Sequence, residues 1–258
     1  RVFHNHGLLH RLAELPTRSN RRFLVVGSGQ SGAEVVAYLH DSYPDARIHA
    51  SFRRFGYTPA DDTPFANRIF DATSVDEFYA APPDVKGQLM DYHWLTNYSA
   101  VDADLINELY RREYDESVRN QRRLMVHRMT EIQQLHEYAD GVEVTLQNLG
   151  SGEATDLRVD AVVLATGFRP RDVRALLGPT IDPTPAFTAE GLPRVERDYG
   201  LRLPGAPGRI FLNGGVEHSH GLTSSLLSNL AIRAADILRA VTRAPVTGRP
   251  AEPSTTGG

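Results

Sequence analysis

The apolar positions of this chain fall into short runs whose spacing switches between strand-like and helix-like. Phe23-Leu24-Val25-Val26 is a short apolar run of the length expected for a buried strand. A glycine-rich turn, Gly27-Ser28-Gly29-Gln30-Ser31-Gly32, follows it and leads into Ala33-Glu34-Val35-Val36-Ala37-Tyr38-Leu39, which predicts a helix over 31–41. Asp41-Ser42-Tyr43-Pro44-Asp45 then ends that helix, and Arg47-Ile48-His49-Ala50-Ser51-Phe52 reads as a second strand. A polar loop containing proline covers 56–66. Residues 102–119 predict a helix, with Asp102 as N-cap and Leu105, Ile106, Leu109 and Tyr110 at helical spacing.

Beyond that helix the pattern turns to strands. Leu124-Met125-Val126 and Val142-Glu143-Val144-Thr145-Leu146 are strand-like, with turns at Asp140-Gly141 and Gly150-Ser151-Gly152. Ala161-Val162-Val163-Leu164 predicts a buried strand running into Ala165-Thr166-Gly167, and Ile210-Phe211-Leu212 a further short strand. A turn rich in Gly, His and Ser over 213–225 precedes a last helix over about 225–242, with Leu226, Leu227, Leu230, Ala231 and Ile237 on its apolar side. These patterns divide the chain into a linker over 1–20, a first domain over 21–123, a second part over 124–243 and a tail over 244–258 expected to be disordered. The chain carries no internal repeat.

Composition narrows the classes. Apolar residues make up 41% and charged residues 23% of 258 residues, as in ordinary globular proteins. A net charge of −4 gives no general case for nucleic-acid binding. The absence of cysteine excludes disulfides, thiolate metal sites and cysteine nucleophiles. No apolar run approaches the roughly 20 residues of a membrane span, and a cytoplasmic protein is expected. The start, Arg1-Val2-Phe3-His4-Asn5-His6, lacks an initiator Met and a signal-peptide pattern and reads as the middle of a longer protein.

The glycine turn carries the first chemistry. Strand, G-x-G-x-x-G and helix form the context of a dinucleotide-binding loop. The first glycine permits the tight turn, the second lets a pyrophosphate approach the backbone, and the third lets helix and strand pack closely. Free N–H groups at the helix start then face the phosphates. An NAD site carries an Asp or Glu at the end of the second strand. Here that strand ends Phe52-Arg53-Arg54, and guanidinium groups suit a 2′-phosphate, which argues for NADPH over NADH.

Four segments in order give the loop a context: Gly27-Ser28-Gly29-Gln30-Ser31; Asp61-Asp62-Thr63-Pro64-Phe65-Ala66-Asn67-Arg68-Ile69-Phe70; Thr96-Asn97-Tyr98-Ser99-Ala100-Val101; and His220-Gly221-Leu222-Thr223-Ser224-Ser225-Leu226-Leu227-Ser228. Together with Ala165-Thr166-Gly167-Phe168-Arg169-Pro170, they closely resemble the flavin-dependent N-hydroxylating monooxygenases, the family of the L-ornithine N5- and L-lysine N6-monooxygenases of siderophore biosynthesis. The resemblance covers roughly residues 1–240. It implies an α/β fold in which a Rossmann-like NADPH-binding domain is inserted in a second, FAD-type dinucleotide-binding domain. Only the C-terminal part of that second domain lies in this chain, so the chain alone is expected to bind FAD poorly. Two departures from the family pattern stand out: His4-Asn5-His6-Gly7-Leu8 in place of a His-Ser-Ser pattern, and Arg68 where many members have Glu.

Carried over by resemblance, Ser28, Gly29, Gln30 and Ser31 line the NADPH pyrophosphate and Arg53 holds the 2′-phosphate end. Asn67 contacts the amino-acid substrate. Asn97 sits between substrate and nicotinamide ribose, with Tyr98 and Ser99 beside the cofactor. Ser225, Leu226 and Leu227 present backbone to the flavin, from a helix start with unpaired N–H groups, and Ser228 contacts substrate. No side chain is a candidate for oxygen activation, so the chemistry falls to the cofactors, FAD and NADPH. The implied reaction is hydride transfer from NADPH to FAD, formation of a C4a-hydroperoxyflavin with O2, and attack by the neutral side-chain amine of L-ornithine. L-lysine or a diamine is the alternative substrate. The implied partners are that amine, O2, the upstream FAD-binding part of the same protein, and further copies in a homotetramer.

Other residues attract simpler readings. His218 and His220 lack further Asp, Glu or His at ligand spacing, so no metal site is expected. His4, His6 and His10 read as linker or surface histidines. Trp94 reads as a packing residue, Asp61-Asp62 as a solvated turn, and Arg111-Arg112 and Arg122-Arg123 as solvated faces. A non-catalytic NADP(H)-binding sensor domain is the alternative of another class. A disulfide reductase is disfavoured by the lack of Cys-x-x-Cys.

Overall fold

Along the strand Arg22–Val26, Phe23 and Val25 face one way and Leu24 the other, and all three are fully buried. A strand buried on both faces belongs at the centre of a parallel sheet. The computed structural model describes residues 1–178, 185–205 and 208–243. In chain order its elements are β1 (Val2–His4), α1 (Leu8–Glu14), β2 (Arg22–Val26), α2 (Gln30–Ser42), β3 (Arg47–Phe52), α3 (Ser74–Ala80), α4 (Pro83–Tyr92), α5 (Trp94–Asn97) and α6 (Ala103–Val118). There follow β4 (Leu124–Arg128), β5 (Thr130–Glu137), β6 (Val142–Asn148), β7 (Ala154–Val159), β8 (Ala161–Leu164), α7 (Val173–Leu177), α8 (Glu217–His220) and α9 (Leu230–Arg243).

The chain divides into two units, the first of residues Arg1–Asn67 and Asp91–Arg169, the second of Arg68–Met90 and the residues from Pro170 on. The expected boundary between 123 and 124 falls inside the first unit. The reason is strand pairing: β4 pairs with β3, and β8 pairs with both β2 and β1, so strands from either side of that boundary share one sheet. The expected tail, 244–258, lies outside the described residues.

The first unit has three layers. Its centre is an all-parallel sheet of order β1-β8-β2-β3-β4. On one face Phe23, Val25, Ile48, Ala50 and Val163 pack with Val36 and Leu39 of α2 and Leu109 of α6. On the other, Leu24 and Val162 pack with Val142, Val144 and Leu146 of the antiparallel sheet β5-β6-β7. Each such fully buried aliphatic side chain contributes about 1.5–3 kcal/mol. This is a Rossmann-like α/β fold. Residues 1–20 are not a linker: β1 pairs in parallel with β8, and His4 Nε2 lies 3.0 Å from the carbonyl oxygen of Gly167 with its ring 4.7 Å from that of Phe168. Arg123 is no solvated residue either. Its guanidinium donates to the carbonyls of His40, Tyr43 and Ala46, tying down the end of α2, while Arg112 pairs with Asp41 and Glu108.

In the second unit Val195, Tyr199 and Val216 form the core. Arg197 links Asp76 of α3 to Asp236 of α9, at 2.5 and 3.2 Å. Gly221, at φ +74, lies so close to the Phe78 ring that a Cβ there would sit 3.1 Å from it. The strand expected at 210–212 is only an isolated bridge between Gly200 and Phe211, flanked by backbone bonds from Leu201 to Ile210 and from Leu212 to Tyr199. The helix expected from about residue 225 begins at Leu230; two 3-10 turns, Leu222–Ser225 and Leu227–Asn229, precede it.

Candidate dinucleotide site

The glycine loop sits where β2 ends, with β3 on one side of that strand and β8 on the other. Such a switch point opens a crevice at the carboxyl ends of the strands. The loop is drawn tightly onto the sheet. The Gly27 N–H donates to the Ser51 carbonyl at 3.0 Å, and the Ala165 N–H to the Val26 carbonyl at 2.8 Å. Gly27 has φ +139, and a Cβ there would overlap the Ala165 carbonyl oxygen. A Cβ at Gly32 would lie 2.5 Å from the Gly27 carbonyl oxygen. Gly29 differs, since the nearest atom to a Cβ there is the Ser99 Cα at 3.5 Å. The first and third glycines are thus fixed by protein contacts that leave no room for a Cβ, while a Cβ at the second would make only ordinary van der Waals contact with Ser99. α2 starts there, with Gly29 as an N-cap that offers no side-chain bond. The N–H groups of Gln30 and Ser31 precede any intrahelical acceptor and face the crevice end of the helix, where an anion is favoured.

Ser99 is held beside this loop in the left-handed region, at φ +56. The Arg54 guanidinium donates to its carbonyl at 2.9 Å. Ser99 follows α5, whose last residue is the half-buried Asn97, and the Tyr98 N–H donates to the Trp94 carbonyl at 2.8 Å. Trp94, 43% exposed, packs its ring 4.6 Å from that of Tyr98, consistent with the packing role expected of it. The Gln30 side chain is committed inside the protein: its amide donates to the Asp102 carboxylate at 2.9 Å and to Glu34 at 3.0 Å, and its oxygen accepts from the Asp102 N–H at 2.8 Å. Asp102 is the N-cap of α6, as expected, but its side chain makes no capping bond. Gln30 reaches across to hold that start instead.

The two arginines after β3 divide their work. Arg54 is bound to Ser99, whereas the Arg53 side chain is 76% exposed with Glu131 3.6 Å away. Beside them the Arg128 guanidinium lies 4.2 Å above the exposed ring of Phe55. The remaining first-unit candidate, Asn67, is exposed at the start of a 3-10 turn, with its amide donating to the Asp62 carbonyl at 3.0 Å. Ser28 is half-buried and Ser31 exposed in the loop itself.

Ser225, Leu226, Leu227 and Ser228 belong to the second unit. Ser225, Leu227 and Ser228 are exposed, Leu227 to 83%. The expected free N–H groups of a helix start are not all there, because the Leu226 N–H donates to the Thr223 carbonyl at 3.3 Å. Ser225 Oγ donates to Glu217 at 2.6 Å. His218 and His220 are occupied by backbone, with Nε2 atoms 2.8 and 3.1 Å from the carbonyls of Pro193 and Arg197. Burial pushes His220 down to about 4, and its ring stacks on Tyr199 at 4.2 Å. Sequence reasoning missed Arg54 as a backbone anchor and missed Arg233 altogether. Arg233 is 4% exposed beneath the 222–229 turns. The signal for it was an arginine between Leu230 and Ile237 on the apolar side of the last helix.

The parallel sheet, its glycine loop and the cationic end of β3 define a dinucleotide-binding α/β protein. Comparison with known proteins narrows this. Residues 1–170 match the family described as L-lysine 6-monooxygenase/L-ornithine 5-monooxygenase, and the chain belongs to that family. The L-ornithine N(5)-monooxygenase of Pseudomonas aeruginosa PAO1 is 35% identical over 92% of this chain and 53% of its own length. That of Burkholderia cepacia is 37% identical over 86% of this chain and 50% of its own. Among solved structures, the Kutzneria sp. 744 ornithine N-hydroxylase with reduced FAD, NADP+ and L-ornithine superposes with a TM-score of 0.88 at 40% identity, over 94% of this chain and 58% of that one. The chain thus spans about half the length of the curated relatives it matches.

Proposed function

We propose that this chain is the NADPH-binding and C-terminal part of an FAD-dependent monooxygenase that N-hydroxylates the side-chain amine of L-ornithine, toward a siderophore or related hydroxamate. L-lysine or a diamine is the alternative substrate. The observation that carries the reading is the coincidence of the family match with a loop in which the second glycine, unlike the first and third, is not closed off by backbone oxygens. The residues present fit NADP(H). Gly29 carries no side chain where a pyrophosphate would approach the backbone, the uncapped start of α2 favours its charge, and Arg53 stands where a carboxylate would select NAD. For FAD the chain offers the Ser225–Leu227 turn, whose Ser225 and Leu227 are exposed, and the rest of the flavin cradle is assigned to sequence outside this chain.

In this reading the N–H groups of Gln30 and Ser31 hold the pyrophosphate, with Ser28 beside it. Gln30 acts through its backbone, because its side chain secures Asp102. Arg53 pairs with the 2′-phosphate. Arg54 fixes Ser99 and so sets Asn97 and Tyr98 beside the nicotinamide ribose. Asn67, Asn97 and Ser228 are the substrate-contacting residues in this reading. When bound, FAD supplies hydride acceptance from NADPH and activation of O2. The amine must be neutral to act as a nucleophile, and a free alkylammonium has a pKa of about 10.4. Binding by the neutral amides of Asn67 and Asn97 and the hydroxyl of Ser228 favours the uncharged form. The test is a screen of the full-length, FAD-loaded protein with NADPH against L-ornithine, L-lysine and cadaverine, with products identified by mass. A gain of one oxygen on L-ornithine is expected. Turnover of another amine alone would replace the substrate assignment.

A further inference from the structure

Arg233 is the buried residue of α9, and its guanidinium points back along the chain. Nη1 donates to the carbonyls of Thr223 and Leu226, at 2.8 and 3.2 Å, and Nε to Asn213 Oδ1 at 3.1 Å. Among the described residues no carboxylate pairs with it; nearby Asp236 is taken by Arg197 and Arg239. Burying a guanidinium without a counter-charge is costly, so these hydrogen bonds hold it in place and it holds them. Thr223 and Leu226 bracket Ser225 and immediately precede Leu227 and Ser228. In a continuous helix the Leu226 carbonyl would accept from the Leu230 N–H. That N–H goes instead to the Leu227 carbonyl. Asn229 adds a second anchor, donating to the Phe70 carbonyl at 3.1 Å.

We infer that Arg233 is a positioning residue that keeps residues 225–228 out of the helix and presents them to the ligand. The inference rests on the proposed role of that turn in contacting flavin and substrate. Capture of two successive turn carbonyls by one rigid, planar cation explains why the chain stays in 3-10 turns despite an apolar pattern that favours helix. It also explains how Leu227 and Ser228 come to lie exposed above a buried support.

The experiment uses the full-length, FAD-loaded protein with Arg233→Met, which keeps an apolar stem and removes every donor, and Arg233→Lys, which keeps the charge with a single donor centre. Amide hydrogen exchange over 222–230 and steady-state kinetics are read together. In Arg233→Met, exchange in that segment is expected to rise about tenfold or more, since bonds to a charged donor are lost. KM for the amine is expected to rise by about tenfold and hydroxylamine formed per NADPH to fall, with NADP+ affinity unchanged. Arg233→Lys recovers part of both. Unchanged exchange and an unchanged KM in Arg233→Met would overturn the inference, as would an equal loss of NADP+ affinity, which marks general unfolding. If Arg233→Met does not fold, Arg233→Lys decides on the same two readouts. If the wild-type protein hydroxylates no amine, the functional reading fails, and exchange alone decides whether Arg233 holds the turn.

Discussion

Three glycines in one loop do three different jobs, and each is separable by adding a methyl group. Gly27 and Gly32 face backbone oxygens that leave no room for a Cβ, whereas Gly29 faces only Ser99 at van der Waals distance. Gly27→Ala and Gly32→Ala are therefore expected to lower the melting temperature severely or abolish folding. Gly29→Ala should keep the melting temperature within a few degrees while weakening NADP+ binding by about tenfold or more, as read by calorimetry. At the cationic end the expectation is selective. Arg53→Gln should weaken NADP+ by about tenfold and leave NAD+ unchanged, because one charge-assisted pair to the 2′-phosphate is lost. The division between Arg53 and Arg54 was not legible in the sequence. Two adjacent arginines look alike until the chain folds and one of them finds the Ser99 carbonyl.

The elements that were legible are those whose pattern is set by the parallel sheet. β2, α2, β3 and β8 came from apolar runs and glycine positions because both faces of that sheet are covered. β1 was hidden by its length, three half-buried residues that become a strand only through β8. α4 and α5 bury no residue fully, so they carry no apolar stripe to read. The start of α9 was misplaced because a distant side chain, Arg233, takes carbonyls that local propensity would give to the helix. The start of α6 is likewise a tertiary device. Asp102→Ala removes the acceptor for the Gln30 amide, and urea unfolding should show a loss of about 1 kcal/mol, the ordinary net value of such a bond.

At the scale of the whole chain, buried histidines make stability pH-dependent. Burial lowers His220 to about 4, and burial, then His127, whose ring nitrogen is 2.9 Å away, lowers His49 to about 4. Both are neutral when folded, while the unfolded side chains titrate near 6.5. Their stabilising contribution is thus complete above pH 6.5 and is lost as the pH falls through about 4. Urea unfolding at a series of pH values should show stability falling by a few kcal/mol across this window, and His220→Gln should flatten the slope.

The family was legible because four separated segments had to match together, a constraint that no single glycine loop imposes. The chain covers about half the length of its relatives, so its activity is a claim about the whole protein. The measurement that tests this claim most directly is the ratio of hydroxylamine formed to NADPH oxidised by the full-length, FAD-loaded protein with L-ornithine. The account predicts a ratio approaching unity, at rates far higher with NADPH than with NADH. NADPH oxidation that yields only hydrogen peroxide, with L-ornithine and every other amine offered, would contradict it.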